Sequence, residues 1–418
     1  MLVGAPRKRT GAKHHLDEHL RELAALADTA GAEVVGELTQ QIDRPNSATY
    51  LGKGKIDELR QRVSDANASL VIFDDELTPS QGKNIEDILA TRVVDRAELI
   101  LDIFATRART AEAKMQVELA QLEYTLPRLT RMWTHLEKFR GGIGVRGPGE
   151  TQLETDRRLI NHRIKLLKER LQDVQKQREI QRQSRRSEYR VSLVGYTNAG
   201  KSSILRALSG ASDVFVENRL FATLDPLTRE ADLGEHGKVL VTDTVGFVRT
   251  LPHQLVASCR ATLEEARDAD LLLHVIDASH PTWEEQRVVV DQVLAELGLQ
   301  EKPVLHVFNK IDQLDDATLA AMRERIRNLL PNSVFVSTVV EGELEPLKRA
   351  LVAALRARSN VAEVRLGAGE GKLLAEIHRG AEVLDQRMEG DEIVIRARVD
   401  EATAGRLRRA GAKVTAAS

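Results

Sequence analysis

The chain has 418 residues, enough for about two to four domains, and 30% of them are charged, with a net charge of -2. The single cysteine, Cys259, excludes an internal disulfide framework and favours a reducing compartment such as the cytoplasm. No apolar run approaches the roughly 18–20 residues that a membrane span needs, and residues 1–11 lack the apolar core of a signal peptide. We therefore expect a cytoplasmic multidomain protein without a membrane span, monomeric when free.

Residues 1–105 alternate between helical and extended patterns. Helical periodicity covers 16–30, 55–67, 85–90 and 97–104, and strand patterns cover 33–38, 70–73 and 92–94. Alternation of this kind predicts an N-terminal α/β domain with a small parallel sheet and covering helices. The segment Leu2-Val3-Gly4 fits either a first strand or a flexible end.

A glycine- and lysine-rich segment lies inside this region, at Tyr50-Leu51-Gly52-Lys53-Gly54-Lys55, and opens a predicted helix. Amide groups at a helix N-terminus can bind phosphate, of a nucleotide or of RNA. The spacing lacks the full phosphate-loop pattern, however, so a plain flexible turn explains the segment equally well.

Residues 106–187 have a different pattern, that of an antiparallel helical hairpin. Apolar residues recur at spacings of four and three, which predicts a heptad seam, at Met115, Leu119, Leu122, Leu126, Leu129, Trp133 and Leu136. Pro127 should kink or break this helix near Leu126. After a glycine-rich loop at 141–149, a second helix repeats the spacing at Ile160, Ile164, Leu167, Leu171 and Val174.

The hairpin is more basic than the rest of the chain. Residues 128–190 contain 17 Lys and Arg against 8 Asp and Glu. This excess fits a polyanionic partner such as RNA, although a solvated helical face would also be rich in charge. The loop from Arg140 to Gly149 has five glycines and two arginines and is longer than a connection requires, so we predict that it is an effector tip.

The segment Gly195-Tyr196-Thr197-Asn198-Ala199-Gly200-Lys201-Ser202 has the form of a phosphate-binding loop, between an extended run at 189–194 and a helical stretch at 202–208. Its glycines let backbone amides face phosphates. Lys201 can reach the outer phosphates, and Ser202 offers a hydroxyl to Mg²⁺.

Two later motifs follow predicted strands. Asp243-Thr244-Val245-Gly246 supplies a carboxylate for Mg²⁺, through water, and Asn309-Lys310-Ile311-Asp312 supplies a reader of the base. The carboxylate of Asp312 accepts from both donor groups of guanine, whereas adenine offers no matching donors. Together the three motifs predict GTP and GDP binding with Mg²⁺.

Three features of the predicted site are less regular. We choose Thr223 over Thr228 as the switch-loop ligand of Mg²⁺. Phe247 stands where many GTPases have a glutamine that orients the attacking water, so another group must do this. Asn198 either holds an activating K⁺ or merely favours the turn.

The GTPase domain is predicted over 188–358, Ras-like, with a mostly parallel six-stranded sheet and one antiparallel edge strand. At its last strand Ser337-Thr338-Val339 replaces the usual Ser-Ala-Lys. The predicted catalytic residues are Lys201, Thr223 and Gly246, and the metal ligands are Ser202 and Thr223. The predicted nucleotide-binding residues are Asn198, Ala199, Gly200, Lys201, Ser202, Ser203, Asp243, Gly246, Asn309, Lys310, Asp312, Ser337 and Thr338. Residues 359–418 are predicted to form a small C-terminal α+β domain that carries no chemical motif.

The motifs together resemble the HflX family of GTPases over nearly the whole chain. Besides the GTPase elements, the resemblance rests on residues 140–154 (RGGIGVRGPGETQLE), 50–55 (YLGKGK) and 221–226 (FATLDP). It implies a factor that binds the large ribosomal subunit and its RNA through its first two regions and splits or rescues stalled ribosomes under stress. It also implies ATP hydrolysis in the N-terminal region, which the residues here leave open.

Other functions remain to be weighed against this one. An RNA-associated GTPase of ribosome assembly or RNA remodelling fits the same motifs. An RNA-modifying GTPase lacks a catalytic cysteine or methyl-donor site, a trafficking switch lacks a lipid anchor or membrane helix, and an RNA scaffold would not need complete GTPase motifs.

Overall fold

The computed structural model describes residues 1–6, 16–129, 148–183, 188–211, 220–234, 237–249, 265–358, 360–399 and 401–416. The chain forms two compact units. Of the described residues, the first unit contains those up to 175 together with 220–225, and the second contains the others. The finer division at 105, 187 and 358 stays a prediction. Within the described part of the chain, no helix is long and apolar enough to cross a membrane.

The first unit contains the predicted parallel sheet. Its strands are β1 Leu2–Gly4, β2 Glu37–Thr39, β3 Leu70–Phe73 and β4 Arg92–Asp95, in the order β2-β1-β3-β4. Its helices are α1 Leu16–Thr29, α2 Lys53–Asp65, α3 Pro79–Leu89 and α4 Arg96–Arg107. All neighbouring strands are parallel, which confirms the α/β prediction.

Two details of this sheet depend on the short strand β1. Leu2–Gly4 is a strand, which agrees with the first of the two interpretations of this segment and not with a flexible end. Next to it, the Met1 ammonium donates to the carbonyl of Leu70 at 3.0 Å. The predicted strand at 33–38 was wrong in its start, because β2 begins only at Glu37, the partner of Leu2. Gly36 still accepts from the N–H of Leu2 at 2.9 Å, but the paired register of the two strands starts at Glu37.

The helices that follow are α5 Ala111–Thr125 and α6 Pro148–Gln183. The predicted break at Pro127 is confirmed, since α5 ends at Thr125 and a single 3-10 turn spans Leu126–Arg128. The second helix begins at Pro148 rather than after Gly149, and proline suits a first helical turn because its missing N–H has no partner there in any case. Residues 130–147, with Trp133, Leu136 and most of the tip loop, lie outside the described residues.

Burial divides α5 into two faces where the heptad pattern predicted one seam. Val117, Ala120 and Tyr124 are buried, and α5 packs along α4. The predicted seam positions Met115, Leu119 and Leu122 are only half-buried, so the seam is not the deepest face. On α6 the predicted seam positions are half-buried, and Leu167 among them is fully buried.

Ion pairs between described residues join α5 to α6. Arg163 Nε lies 2.6 Å from a carboxylate oxygen of Glu118, and Lys168 Nζ lies 2.8 Å from one of Glu123. Both pairs are largely exposed and therefore add at most about 1 kcal/mol each to stability. Because the connecting residues are not described, the antiparallel course of the hairpin stays a prediction.

The second unit contains the GTPase sheet. Its strands are β5 Tyr189–Gly195, β6 Leu227–Asp232, β7 Lys238–Asp243, β8 Leu271–Asp277, β9 Val304–Asn309 and β10 Ser333–Phe335. Its helices are α7 Lys201–Ser209, α8 Trp283–Glu296, α9 Asp316–Leu329 and α10 Glu345–Arg358. The order β10-β9-β8-β5-β7-β6 is parallel except for the edge pair β6/β7, which confirms the Ras-like prediction.

A small antiparallel sheet follows, built from β11 Asn360–Gly367, β12 Glu382–Glu389, β13 Glu392–Val399 and β14 Lys413–Ala416. The helices α11 Gly371–Gly380 and α12 Glu401–Arg409 accompany it, so the α+β prediction is confirmed. Strand β14 has only four residues, KVTA, which carry too little apolar pattern to be recognised from the sequence.

Candidate nucleotide-binding site

The phosphate loop joins the buried strand β5 to the helix α7. Gly195 ends the strand with φ +152°, and a Cβ atom placed on it would lie 2.3 Å from the carbonyl oxygen of Val275 on β8. No side chain can be accommodated at that distance from backbone. Glycine therefore lets the loop begin directly against the neighbouring strand.

A second glycine brings the phosphate loop against the base-reading motif. Gly200 has φ +97°, and a Cβ atom there would lie 2.1 Å from Asn309 Nδ2. The same Nδ2 donates to the carbonyl of Ala199 at 3.0 Å, while Asn309 Oδ1 is buried and has no hydrogen-bond partner among the described residues. Asn309 thus ties β9 to the loop, and its free acceptor is available to a ligand.

Lys201 is buried at the start of α7. Its ammonium donates to the carbonyls of Gly195 at 3.2 Å and Tyr196 at 2.8 Å. Burial lowers the pKa of Lys201 to about 8, and the nearby Asp243 carboxylate opposes this shift. An ammonium held in a low-dielectric site interacts strongly with phosphate charge, which suits the predicted role.

Ser202 and Asp243 bring two oxygens together. The hydroxyl of Ser202 donates to Asp243 Oδ2 at 2.6 Å, and Asp243 is fully buried at the end of β7. A hydroxyl and a carboxylate are the hard oxygen donors that Mg²⁺ prefers, with water in its remaining positions. These residues therefore fit the predicted ion.

The loop after β7 is fastened to the phosphate loop by backbone. Phe247 donates its N–H to the carbonyl of Gly195 at 3.1 Å, and its carbonyl accepts from Thr197 N–H at 2.7 Å. A Cβ atom on Gly246 would lie 2.6 Å from Thr197 Cα and 3.1 Å from Lys201 Nζ. The ring of Phe247 is buried, so this residue holds the loop in place and presents no polar group to water.

The base-reading end is held by a serine. Ser337 Oγ donates to Asp312 Oδ1 at 2.6 Å and lies within reach of the amides of Val339 and Val340, at 3.2 and 3.3 Å. Lys310, in a left-handed conformation at φ +62°, pairs with Asp277 at 2.7 Å. Asp312 itself is exposed, so burial of its carboxylate would come from the bound base.

The other predicted ligands differ in how far the structure supports them. Asn198 is exposed and left-handed, at φ +60°, which suits the turn and leaves K⁺ binding a prediction. Ser203 and Thr338 are half-buried beside residues already described. Val339, where a lysine is usual, is 81% exposed.

The segment that carries Thr223 belongs to the first unit. Phe221 is buried edge-on against Phe104 at a centroid distance of 4.8 Å. Asp225 accepts from the backbone amides of Arg109 at 2.9 Å and Thr110 at 3.4 Å, and from the Thr110 hydroxyl. Thr223 itself is half-buried, and its role as a Mg²⁺ ligand stays a prediction.

Sequence reasoning missed several contacts of the site. The hydroxyl of Tyr196 accepts from Arg249 N–H at 2.7 Å, and the hydroxyl of Thr244 donates to the carbonyl of Leu193 at 2.6 Å. Neither has a spacing that would single it out. Asp277 could have been found, because an acidic residue at the end of a buried parallel strand lies at the ligand-binding edge of such sheets.

The sheet order, the glycine-built loop on β5 and the motifs on β7 and β9 define a phosphate-loop GTPase of the Ras-like class. Three family models match the chain. They are described as GTP-binding GTPase N-terminal, over residues 17–105, GTP-binding GTPase Middle Region, over 107–185, and 50S ribosome-binding GTPase, over 190–310.

Curated relatives agree with these matches. GTPase HflX of Escherichia coli is 45% identical over 376 residues, which cover 90% of this chain and 88% of the relative. GTPase HflX of Flavobacterium psychrophilum is 53% identical over 306 residues, which cover 73% and 74%. The chain belongs to the HflX family and is a GTPase.

Among solved structures, a GTP-binding protein from Sulfolobus solfataricus in complex with GDP is 25% identical to this chain. The match covers 85% of this chain and 99% of that one, with a TM-score of 0.44.

Proposed function

We propose that this GTPase acts in the cytoplasm on the large ribosomal subunit, binding its RNA through the helical hairpin and splitting or rescuing stalled ribosomes. The family model over residues 190–310 is described as a 50S ribosome-binding GTPase, which supports this partner. The observation that carries the proposal for this chain is the basic charge on α6, which is a long helix. A helix of 36 residues extends for about 54 Å at 1.5 Å per residue, long enough to reach into an RNA cleft.

The basic charge of α6 is concentrated in one stretch. Residues 157–170 contain six Lys and Arg and one Glu, and all six basic side chains are exposed. Two of them, Arg163 and Lys168, pair with carboxylates of α5. The other four are Arg157, Arg158, Lys165 and Arg170, a number of cations that suits several RNA phosphates.

In this proposal the nucleotide site works as a GTP switch. Lys201 neutralises phosphate charge, Ser202 and Thr223 ligate Mg²⁺, and Asp312 selects guanine. Because Phe247 cannot orient water, a K⁺ ion held by Asn198 or a group of the ribosome completes the catalytic site. The segment that carries Thr223 contacts α4 through Phe221 and the start of α5 through Asp225. A nucleotide-dependent movement of this segment would therefore be passed to the helices of the proposed ribosome-binding hairpin.

The binding test is sedimentation of the full chain with isolated large or small subunits, in a non-hydrolysable GTP analogue or in GDP. The variant Arg158→Gln/Lys165→Gln/Arg170→Gln should bind large subunits more weakly. The slope of the logarithm of the binding constant against the logarithm of salt concentration should become shallower by about one unit per lost phosphate contact. Lys348→Gln on α10 is the matched control and should bind normally. Equal binding of the triple variant at every salt concentration would contradict the role of α6.

The tip loop is tested by replacing residues 141–149 with a Gly/Ser linker. We expect splitting of associated ribosomes to be lost while intrinsic GTP hydrolysis is retained. If binding and splitting were both unchanged, the loop would be a connector. Binding of large subunits by the wild-type chain without splitting would instead favour a role in ribosome assembly.

The enzymatic assignment is tested separately with Lys201→Ala. Its buried ammonium compensates phosphate charge that backbone amides alone cannot, so GTP binding or turnover should be lost. Normal turnover in this variant would refute the assignment. ATP hydrolysis by the N-terminal region is not part of the proposal. Lys55 of the glycine-rich segment lies in the first turn of α2, where it pairs with Glu58 at 2.8 Å.

A further inference from the structure

A second group of ligand-type side chains lies in the GTPase sheet, apart from the predicted nucleotide-binding residues. His274 on β8 and His306 on β9 are register partners on neighbouring parallel strands, with ring centroids 5.5 Å apart. The helix α8 packs on β8 and brings Asp291 to the same place, where His274 Nδ1 lies 3.5 Å from Asp291 Oδ1. One ligand atom from each residue lies within 4.8 Å of the other two.

The two imidazoles have unsatisfied nitrogens. Both Nδ1 atoms are buried: that of His274 has only the long 3.5 Å contact with Asp291 Oδ1, and that of His306 has no hydrogen-bond partner among the described residues. A buried polar atom without a partner costs folding free energy, so its presence calls for an explanation. Two such imidazoles beside one carboxylate are explained if all three side chains serve a ligand that carries positive charge.

We propose that His274, Asp291 and His306 form a binding site for a borderline transition metal, of the class of Zn²⁺. Two imidazole nitrogens and one carboxylate oxygen are a donor set that such ions take up, whereas Mg²⁺ and Ca²⁺ prefer oxygen alone. Three protein ligands leave a fourth position for water. Solvent can reach it, because the side chain of Asp291 is 42% exposed.

The geometry needs only a small adjustment. Tetrahedral ligands at about 2.0–2.2 Å from Zn²⁺ lie roughly 3.3–3.6 Å from one another. The ligand atoms already lie within 4.8 Å of one another, so small rotations of the three side chains can close the site. Arg287 pairs with Asp291 Oδ2 at 2.7 Å, which leaves Oδ1 towards His274 and orients the carboxylate from outside the site.

The proposed ion would brace the sheet beneath the phosphate loop. His274 immediately precedes Val275, whose carbonyl lies against Gly195 at the start of that loop. A metal that joins β8, β9 and α8 would therefore stabilise the strand on which the loop rests. The proposal is independent of ribosome binding.

The test uses the full chain, freed of metal with a chelator and of nucleotide, and titrated with Zn²⁺ against a chromophoric competitor. Co²⁺ serves as a spectroscopic substitute that reports tetrahedral nitrogen and oxygen ligation. The variants are Asp291→Asn, at a half-exposed helix position, and His306→Gln. His378→Gln, an exposed histidine outside this sheet that lies 3.2 Å from Gln386, is the matched control.

We expect one Zn²⁺ per wild-type chain, with affinity lowered at least tenfold in Asp291→Asn and His306→Gln and unchanged in His378→Gln. Zn²⁺ should also raise the Tm of the wild type and the control but not of Asp291→Asn, because binding to the folded state stabilises it. No Zn²⁺ binding, or equal binding in all four proteins, would overturn the proposal. If His306→Gln failed to fold, Asp291→Asn alone would decide between these outcomes.

Discussion

The substitution Gly246→Ala tests how closely the loop after β7 must approach the phosphate loop. The added Cβ would lie 2.6 Å from Thr197 Cα, a backbone atom that cannot rotate away. Ordinary carbon contacts begin near 3.4 Å, so the two loops must separate by about 0.8 Å. A misplacement of about 1 Å in a catalytic site costs on the order of a hundredfold in rate, or about 2.7 kcal/mol of transition-state stabilisation.

The assay is single-turnover phosphate release from GTP, together with a separate measurement of GDP affinity. We expect the rate of Gly246→Ala to fall about a hundredfold and GDP affinity to change much less, because the clash lies at the phosphate end of the site. Gly405→Ala, at a helical position in α12 with no atom within 4 Å of the new Cβ, is the control and should behave as wild type. Hydrolysis by Gly246→Ala within about threefold of wild type would refute the close-approach argument.

Four further predictions concern charge and cations. Burial lowers the pKa of Lys201 to about 8, so the ammonium that binds phosphate is lost above that pH. The affinity of the free protein for GTP should therefore fall by up to about tenfold per pH unit above 8. An affinity that stays constant up to about pH 9.5 would contradict this. The unfolded chain holds this proton up to its ordinary pKa, so the contribution of Lys201 to stability rises with pH between those two values, as urea unfolding can show. Asp312→Asn should weaken GTP at least a hundredfold and favour xanthosine triphosphate, whose 2-carbonyl accepts from the new amide; competition binding checks the order. K⁺ should accelerate hydrolysis over Na⁺ in the wild type but not in Asn198→Ala, and equal rates would show that Asn198 only shapes the turn.

The sequence was most informative where chemistry requires particular residues at fixed spacings. The phosphate loop, the D-x-x-G motif and the base reader could be placed because each must follow a buried strand, and parallel strands bring their carboxyl ends to one edge. The break at Pro127 was predictable for an equally local reason, the missing backbone N–H. These features depend on a few neighbouring residues.

Features that depend on tertiary contacts could not be predicted in the same way. The periodicity of α5 showed a seam but not its second buried face, which contains Val117 and Ala120, because burial there depends on how α5 packs along α4. The anchoring of Asp225 by Arg109 and Thr110 joins residues more than a hundred positions apart. The partners of Asp225 can be identified only when the positions of both segments in the structure are known.

The measurement that tests the proposed function most directly is GTP turnover by the full chain with isolated large or small ribosomal subunits at equal concentrations. A GTPase whose catalytic site is completed on the large subunit should be stimulated at least tenfold by that subunit and scarcely by the small one. The triple variant Arg158→Gln/Lys165→Gln/Arg170→Gln should lose the stimulation while keeping its intrinsic rate. Equal turnover with large subunits, small subunits and neither would contradict the account.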